Sequence, residues 1–229
     1  MKKLLVILGV FLISFLCLTG CGGKEEQKYT LNLDADENIE VETYIDYEED
    51  DLIIYMTNNN DYNIGNYEVE ATYYDQDNNE IGNDFTSGFS FASGKNCVTQ
   101  LRLPRDEEYN YIIPAKIDLS VKIDQNYQSI VGEPELYNDE LTISYEKLGP
   151  EIEVTIKNES NVDLSTVEVI ALFIKDKEPI YITDITGTLG AGESDTGTIE
   201  VPIDWEKSAE DDVLIEYDSI EFVVNEASE

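Results

Sequence analysis

The chain holds 50 acidic residues and no histidine, and these two facts sort the chemistry open to it. Without an imidazole there is no Ser-His-Asp or Cys-His nucleophile of the usual construction, and no zinc site that relies on His. Cys97 therefore has no histidine to activate it and reads as a small buried core residue. Carboxylate pairs are abundant, and a glycoside hydrolase needs only two. Such enzymes also need a deep cleft with aromatic sugar platforms, whereas this chain has one tryptophan, Trp205, so a non-enzymatic protein is expected. Gly187, Gly190 and Gly192 read as a hairpin between strands, with no helix following to receive a phosphate. Oxygen ligands for calcium remain. The run Glu48-Glu49-Asp50-Asp51 and the turn residues Asp75, Asp77 and Asn79 offer several oxygens. The turn has the opening spacing of a calcium loop, but Glu80 stands where its glycine belongs and Thr86 where its closing glutamate belongs, so a solvated turn is the simpler expectation.

The third chemically distinctive residue is Cys21. Lys2 and Lys3 precede an apolar stretch from Leu4 to Leu18, then Leu18-Thr19-Gly20-Cys21, then the polar run Lys24-Glu25-Glu26-Gln27-Lys28. A free-standing membrane span needs about 20 apolar residues; this stretch is shorter and ends in small residues, which marks a cleaved export signal. The four residues Leu18 to Cys21 resemble the bacterial lipobox. That resemblance implies a diacylglyceryl group on the Cys21 thiol and cleavage before it. Two acyl chains, at about 0.8 kcal/mol per buried CH₂, anchor stably where one does not. Residues 1–20 are then a lipoprotein signal peptide, and residues 21–30 the lipidated cysteine and a flexible tether, with Gly22 and Gly23 supplying the freedom.

The formal charge of −36 becomes more negative once Lys2 and Lys3 leave with the signal. Such a surface repels nucleic acid and anionic polymers and favours cations or basic partners. With 41% hydrophobic residues and 15 tyrosines the chain still has the material for packed cores. Cys97 alone remains beside Cys21 after cleavage, so no disulfide within a domain is expected.

The elements that must carry these residues repeat. Leu52, Ile54, Met56, Asn58, Ile64, Glu68, Val69, Ala71 and Tyr73 lie 100 positions before Ile152, Val154, Ile156, Asn158, Leu164, Glu168, Val169, Ala171 and Phe173. Gly94, Leu103 and Pro104 match Gly192, Val201 and Pro202 at a spacing of 98, so the chain is a tandem of two related units. Tyr67, Val69, Ala71 and Tyr73 alternate with Glu68, Glu70 and Thr72, the period of a half-buried strand. Ile117 to Ile123 and Ile220 to Val224 repeat that pattern as closing strands, and no helical period is sustained after the leader. Short strands with regular turns in units of this size point to antiparallel β-sandwiches.

Thr57-Asn58-Asn59-Asn60 and Lys157-Asn158-Glu159-Ser160 each follow an apolar strand; Tyr73-Tyr74-Asp75 ends the next strand of the first unit, and Leu103-Pro104 ends a glycine-led one. This pattern resembles the FxLYD family, immunoglobulin-like domains found in tandem on extracytoplasmic proteins of bacteria and archaea. The second unit departs from it with Phe173-Ile174-Lys175. The resemblance implies an all-β fold of two tandem immunoglobulin-like sandwiches and carries no catalytic residue. The expected organisation is sandwich one over 31–125, a linker over 126–138 and sandwich two over 139–229, with the bend at Gly132-Glu133-Pro134 leaving the two only semi-independent.

One strand departs from simple alternation. Val167 to Ile174 is apolar throughout save Glu168, so the face that is Glu70, Thr72 and Tyr74 in the first unit becomes Ile170, Leu172 and Ile174 in the second. An apolar outer face must be covered, here by the linker, by the first unit or by a partner protein. The chain is thus expected to be a lipoprotein held by lipid on Cys21 at the outer face of a cell membrane, serving as a non-catalytic binding or spacer module. The alternative is a solute- or cation-binding accessory lipoprotein. Lys-rich, Arg-poor usage with abundant Asn and Ile resembles low-GC Gram-positive sequences. Expected partners are the membrane, a protein or cations, with no nucleic acid and no cofactor beyond calcium.

Overall fold

The computed structural model describes residues 29–46, 49–124, 129, 132–204 and 213–229. Cys21, the leader, Glu48 and Trp205 lie outside the described residues, as does part of the linker. The named elements of the described chain are strands apart from one turn of 3-10 helix at Asn138–Glu140, and Ser129 in the linker is helical.

Seven strands form the first sandwich: β1 (Thr30–Ala35), β2 (Ile39–Asp46), β3 (Asp51–Asn58), β4 (Ile64–Tyr74), β5 (Glu80–Phe91), β6 (Asn96–Arg102) and β7 (Lys116–Ile123). Six form the second: β8 (Leu141–Leu148), β9 (Glu151–Asn158), β10 (Leu164–Lys175), β11 (Glu178–Leu189), β12 (Ser194–Glu200) and β13 (Ser219–Ser228). The first sandwich packs sheet β1-β7-β4-β5 on sheet β2-β3-β6; the second packs β11-β10-β13 on β12-β9-β8. Strand for strand, β2 to β7 correspond to β8 to β13. Among the described residues only β1 has no counterpart, and it pairs with β7 in parallel, Leu33 opposite Leu119.

Period-two alternation builds each core. Val69, Ala71 and Tyr73 meet Leu52, Ile54 and Met56 in the first, and Val169, Ala171 and Phe173 meet Ile152, Val154 and Ile156 in the second. A backbone position beside Tyr67 must be glycine, because a side chain at Gly88 would meet the Tyr67 ring at 2.2 Å. Gly187 lies inside β11, while Gly190 and Gly192 form the turn that leads into β12.

Asn58 and Asn158 are fully buried and do the same work in both units. The Asn58 amide nitrogen donates to the carbonyls of Tyr62 and Phe91, and its oxygen accepts from Asn60 N–H. The Asn158 nitrogen donates to Val162, Leu189 and Gly190, and its oxygen accepts from Ser160 N–H. Each thereby ties the loop after one strand to the far end of the opposite sheet, which explains why this polar residue sits in an apolar repeat.

The two sandwiches also share a third apolar layer. Ile53 and Val98, on the outer face of β2-β3-β6, pack with Ile170, Leu172, Ile174, Ile182 and Val223 on the outer face of β11-β10-β13. Four sheets are therefore stacked, and the two inner ones are buried on both faces.

Candidate functional site

The seam between the sandwiches is where chemically distinctive residues of the two units meet. β10 brings Ile170, Leu172 and Ile174 to it, all nearly inaccessible, and β3 brings Ile53. Burial of each such side chain contributes about 1.5–3 kcal/mol. Polar groups lock the register of the layer. The Asn225 carboxamide accepts from Val98 N–H at 2.9 Å and donates to the Val98 carbonyl at 2.8 Å. It satisfies the open edge of β6 much as a neighbouring strand would. At the linker, Asn63 N–H donates to Glu133 Oε1 at 2.8 Å, and the Asn63 side chain donates to the Pro134 carbonyl at 2.9 Å. Lys95 of the first sandwich forms an ion pair with Asp139 beside β8.

Along one side of this seam runs a crevice of about 390 Å³ walled by Glu49, Gln100, Glu168, Ile170, Tyr181 and Asp184. Burial raises the Glu168 carboxyl above its ordinary range, opposed by a hydrogen bond from Asn225. Tyr181 is likewise raised, first by burial and then by Glu49. The crevice is acidic, and among the described residues no group of three His, Cys, Asp or Glu side chains is placed to hold a metal ion.

The turn residues of the β4–β5 hairpin are arranged differently from a cation loop. Asp75 Oδ1 accepts from the backbone N–H groups of Asp77 and Asn79, and Oδ2 accepts from the Asn79 side chain. Hydrogen bonds from Asn79 hold the Asp75 carboxyl below its ordinary range. Asp106 builds the same clasp with Glu108 and Asn110 and is lowered for the same reason. In both loops the fourth residue, Asn78 or Tyr109, takes a positive φ. These carboxylates are occupied in folding their own turns.

The described residues of the other acidic run form no group placed to hold a metal ion. Asp50 faces Arg105 at 3.3 Å, while Asp51 is buried in β3, and burial lifts its carboxyl to about 6 against the pull of Arg102. Cys97 is buried with the Tyr67 hydroxyl 3.0 Å from its sulfur, and burial pushes the thiol up to about 12, which keeps it protonated and unreactive at neutral pH.

Ile53, Val98, Ile182 and Val223 are the seam residues that sequence inspection passes over. The signal for Ile53 is present in retrospect: Leu52-Ile53-Ile54-Tyr55-Met56 is apolar without a break, as Val169 to Ile174 is, and such runs mark strands buried on both faces. Nothing comparable announces Val98 or Asn225.

No protein-family model matches the chain, and neither does any curated protein. Among solved structures, it is similar to red sea bream transglutaminase at 10% identity, covering 83% of this chain and 29% of that one, with a TM-score of 0.23. A glycoside hydrolase family 2 β-glucuronidase follows at 7% identity, covering 77% and 20%, with a TM-score of 0.17. The chain thus spans less than a third of either protein.

Proposed function

We propose that the protein is a lipid-anchored extracytoplasmic lipoprotein whose two immunoglobulin-like sandwiches form one stiff, non-catalytic binding or spacer unit. The observation that carries the spacer part is the apolar third layer, in which Ile170, Leu172 and Ile174 of one sandwich lie on Ile53 and Val98 of the other. A unit whose domains share a buried face and a hydrogen-bonded linker keeps its far surfaces at a fixed distance from a tether. The anchor rests on Leu18-Thr19-Gly20-Cys21 behind a short apolar leader. The immunoglobulin-like assignment rests on the division of consecutive strands between sheets β2-β3-β6 and β5-β4-β7, repeated as β8-β9-β12 and β11-β10-β13.

The anchor is tested by fractionation of cells expressing the wild type and Cys21→Ser. Wild type should remain with membranes and carry a diacylglyceryl mass on its N-terminal cysteine, and the variant should lose both properties. An unlipidated wild-type chain that still begins at Met1 would overturn the proposal.

A further inference from the structure

The two sandwiches differ in one strand. In the first, β1 lies parallel to β7 and closes the side of the core, so that Leu119 and Val121 are only 1% and 2% exposed. Pairing against β4 and β10 makes Phe222 and Val224 the equivalents of Leu119 and Val121. Both are only partly buried, and Tyr145 of β8, whose ring lies 5.4 Å from Phe222, is 44% exposed. β2 and β8 pair with β3 and β9 in registers that set them 102 positions apart, so the equivalent of β1 would fall at 132–137. Proline and glycine stand there, and Glu133 and Pro134 are bonded to Asn63 of the first sandwich instead. The stretch that would have covered β13 is thus spent on holding the domains together.

A backbone end-cap survives. In the first sandwich Asp36 N–H donates to the Val121 carbonyl; in the second the Asn138 side chain donates to the Val224 carbonyl and Tyr137 N–H to that of Ala227. Val224 therefore turns its backbone groups outward, and by the period of two so do Phe222 and Ile220. No strand pairs with that edge among the described residues.

We propose that this open edge, from Ile220 to Val224, accepts an extended strand from a basic partner protein, laid parallel to β13 as β1 is laid on β7. Charge selects the occupant. In the first sandwich Asn32 donates to Asp118, and Lys122 holds Asp34 at 2.7 Å. By the same register Asp118 corresponds to Glu221, Lys116 to Ser219 and Lys122 to Glu226, so of the two lysines that face the added strand one is lost and the other has become an anion. An occupant carries apolar residues where β1 has Leu31, Leu33 and Ala35, and Lys or Arg where β1 has Asn32 and Asp34. A second copy of this chain, at −36, is repelled. Main-chain hydrogen bonds give such strand addition its affinity, and the alternate side chains give it specificity.

The inference rests on the binding part of the proposed function and names the partner's chemistry; it can fail while the Cys21 anchor stands. The probe is a synthetic peptide with the sequence of Tyr29–Asp36 carrying N32K and D34K, added to the full chain in nonionic detergent. It should bind saturably and about tenfold more tightly than either the unsubstituted peptide or a scrambled peptide of its own composition. Amide exchange at Ile220, Phe222 and Val224 should slow about tenfold on binding. The double variant Glu221→Lys, Glu226→Lys should reverse the preference toward the unsubstituted peptide. Equal binding of the scrambled peptide, no protection at these amides, or dimerisation of the chain that protects them without peptide would each overturn the proposal.

Discussion

Asn225 and Val98 lie 127 residues apart in the chain and exchange two hydrogen bonds, the carboxamide of one with the backbone N–H and carbonyl of the other. A bulge in the pairing of β13 with β10, between Val224 and Glu226, sets Asn225 out of the ladder. The side chain then reaches across to the edge of the neighbouring sandwich, so a local irregularity becomes a link between domains.

Replacing Asn225 by Ala leaves both Val98 groups buried without partners, at a cost of about 2–4 kcal/mol. Since the loss falls on the seam, unfolding of the Asn225→Ala protein should separate into two transitions where the wild type shows one. The double variant Ile170→Ser, Ile174→Ser should do the same through its apolar half. Calorimetry distinguishes the outcomes: a single, merely lowered transition in both variants would mean that the sandwiches are not coupled through this layer.

Asn58 and Asn158 offer an internal control. Asn58→Ala removes the side-chain donor to the carbonyls of Tyr62 and Phe91, and Asn158→Ala removes that to Leu189 and leaves Val162 with the Ser160 hydroxyl alone. Each substitution should cost about 2–4 kcal/mol in denaturant unfolding. Amide exchange should locate the loosening in the mutated unit, at the loop after β3 or after β9. A loss below about 0.5 kcal/mol would show that water replaces the clasp.

Asp51 gives the stability a pH signature. Burial first, with Glu49, Asp50 and Asp84 adding to it, raises its folded pKa to about 6, above the ordinary 3.8. The folded state then holds a proton that the unfolded chain has released, so Asp51 costs nothing below about pH 4 and its full penalty above pH 6. Asp51→Asn should therefore stabilise the protein at pH 7.5 by about 1–3 kcal/mol, with no gain at pH 4. Thermal melts at the two pH values check this, and an equal shift at both would contradict it.

The Asp75 turn separates clasp from ligand. Its folded pKa is lowered, so its contribution is present at neutral pH and fades as pH falls through that depressed value. Asp75→Ala should lower the Tm at pH 7 and have little effect at strongly acidic pH. Millimolar calcium should shift wild type and variant alike. A calcium-induced rise in Tm confined to the wild type would make Asp75 a ligand after all.

Much of this architecture is written locally. The 100-residue repeat gives the strand order twice, because period-two alternation from Tyr67 to Tyr73 and from Ile220 to Val224 reflects burial of one face, which any sandwich requires. Asn58 and Asn158 are visible as repeated residues, but their reason is not, since the carbonyls they satisfy arrive from residues about 30 positions away. Asp75 shows the opposite case: oxygen-rich spacing suggests a cation, and only the geometry reveals that backbone amides take those oxygens.

What the sequence settles by itself is the all-β alternation, the duplication, the acidic surface and the presence of an apolar outer face on β10 that needs a cover. Which surface covers it, the parallel seat of β1 on β7, and the edge of β13 that no described strand pairs with are decided only in three dimensions. The physical reason is that alternation encodes how deeply a side chain is buried and not what lies against it. Ile170 would read the same beneath the linker or a partner as it does on Ile53. Likewise, the diversion of Glu133 and Pro134 to Asn63 acquires its meaning only once the strand they fail to form is seen to be missing.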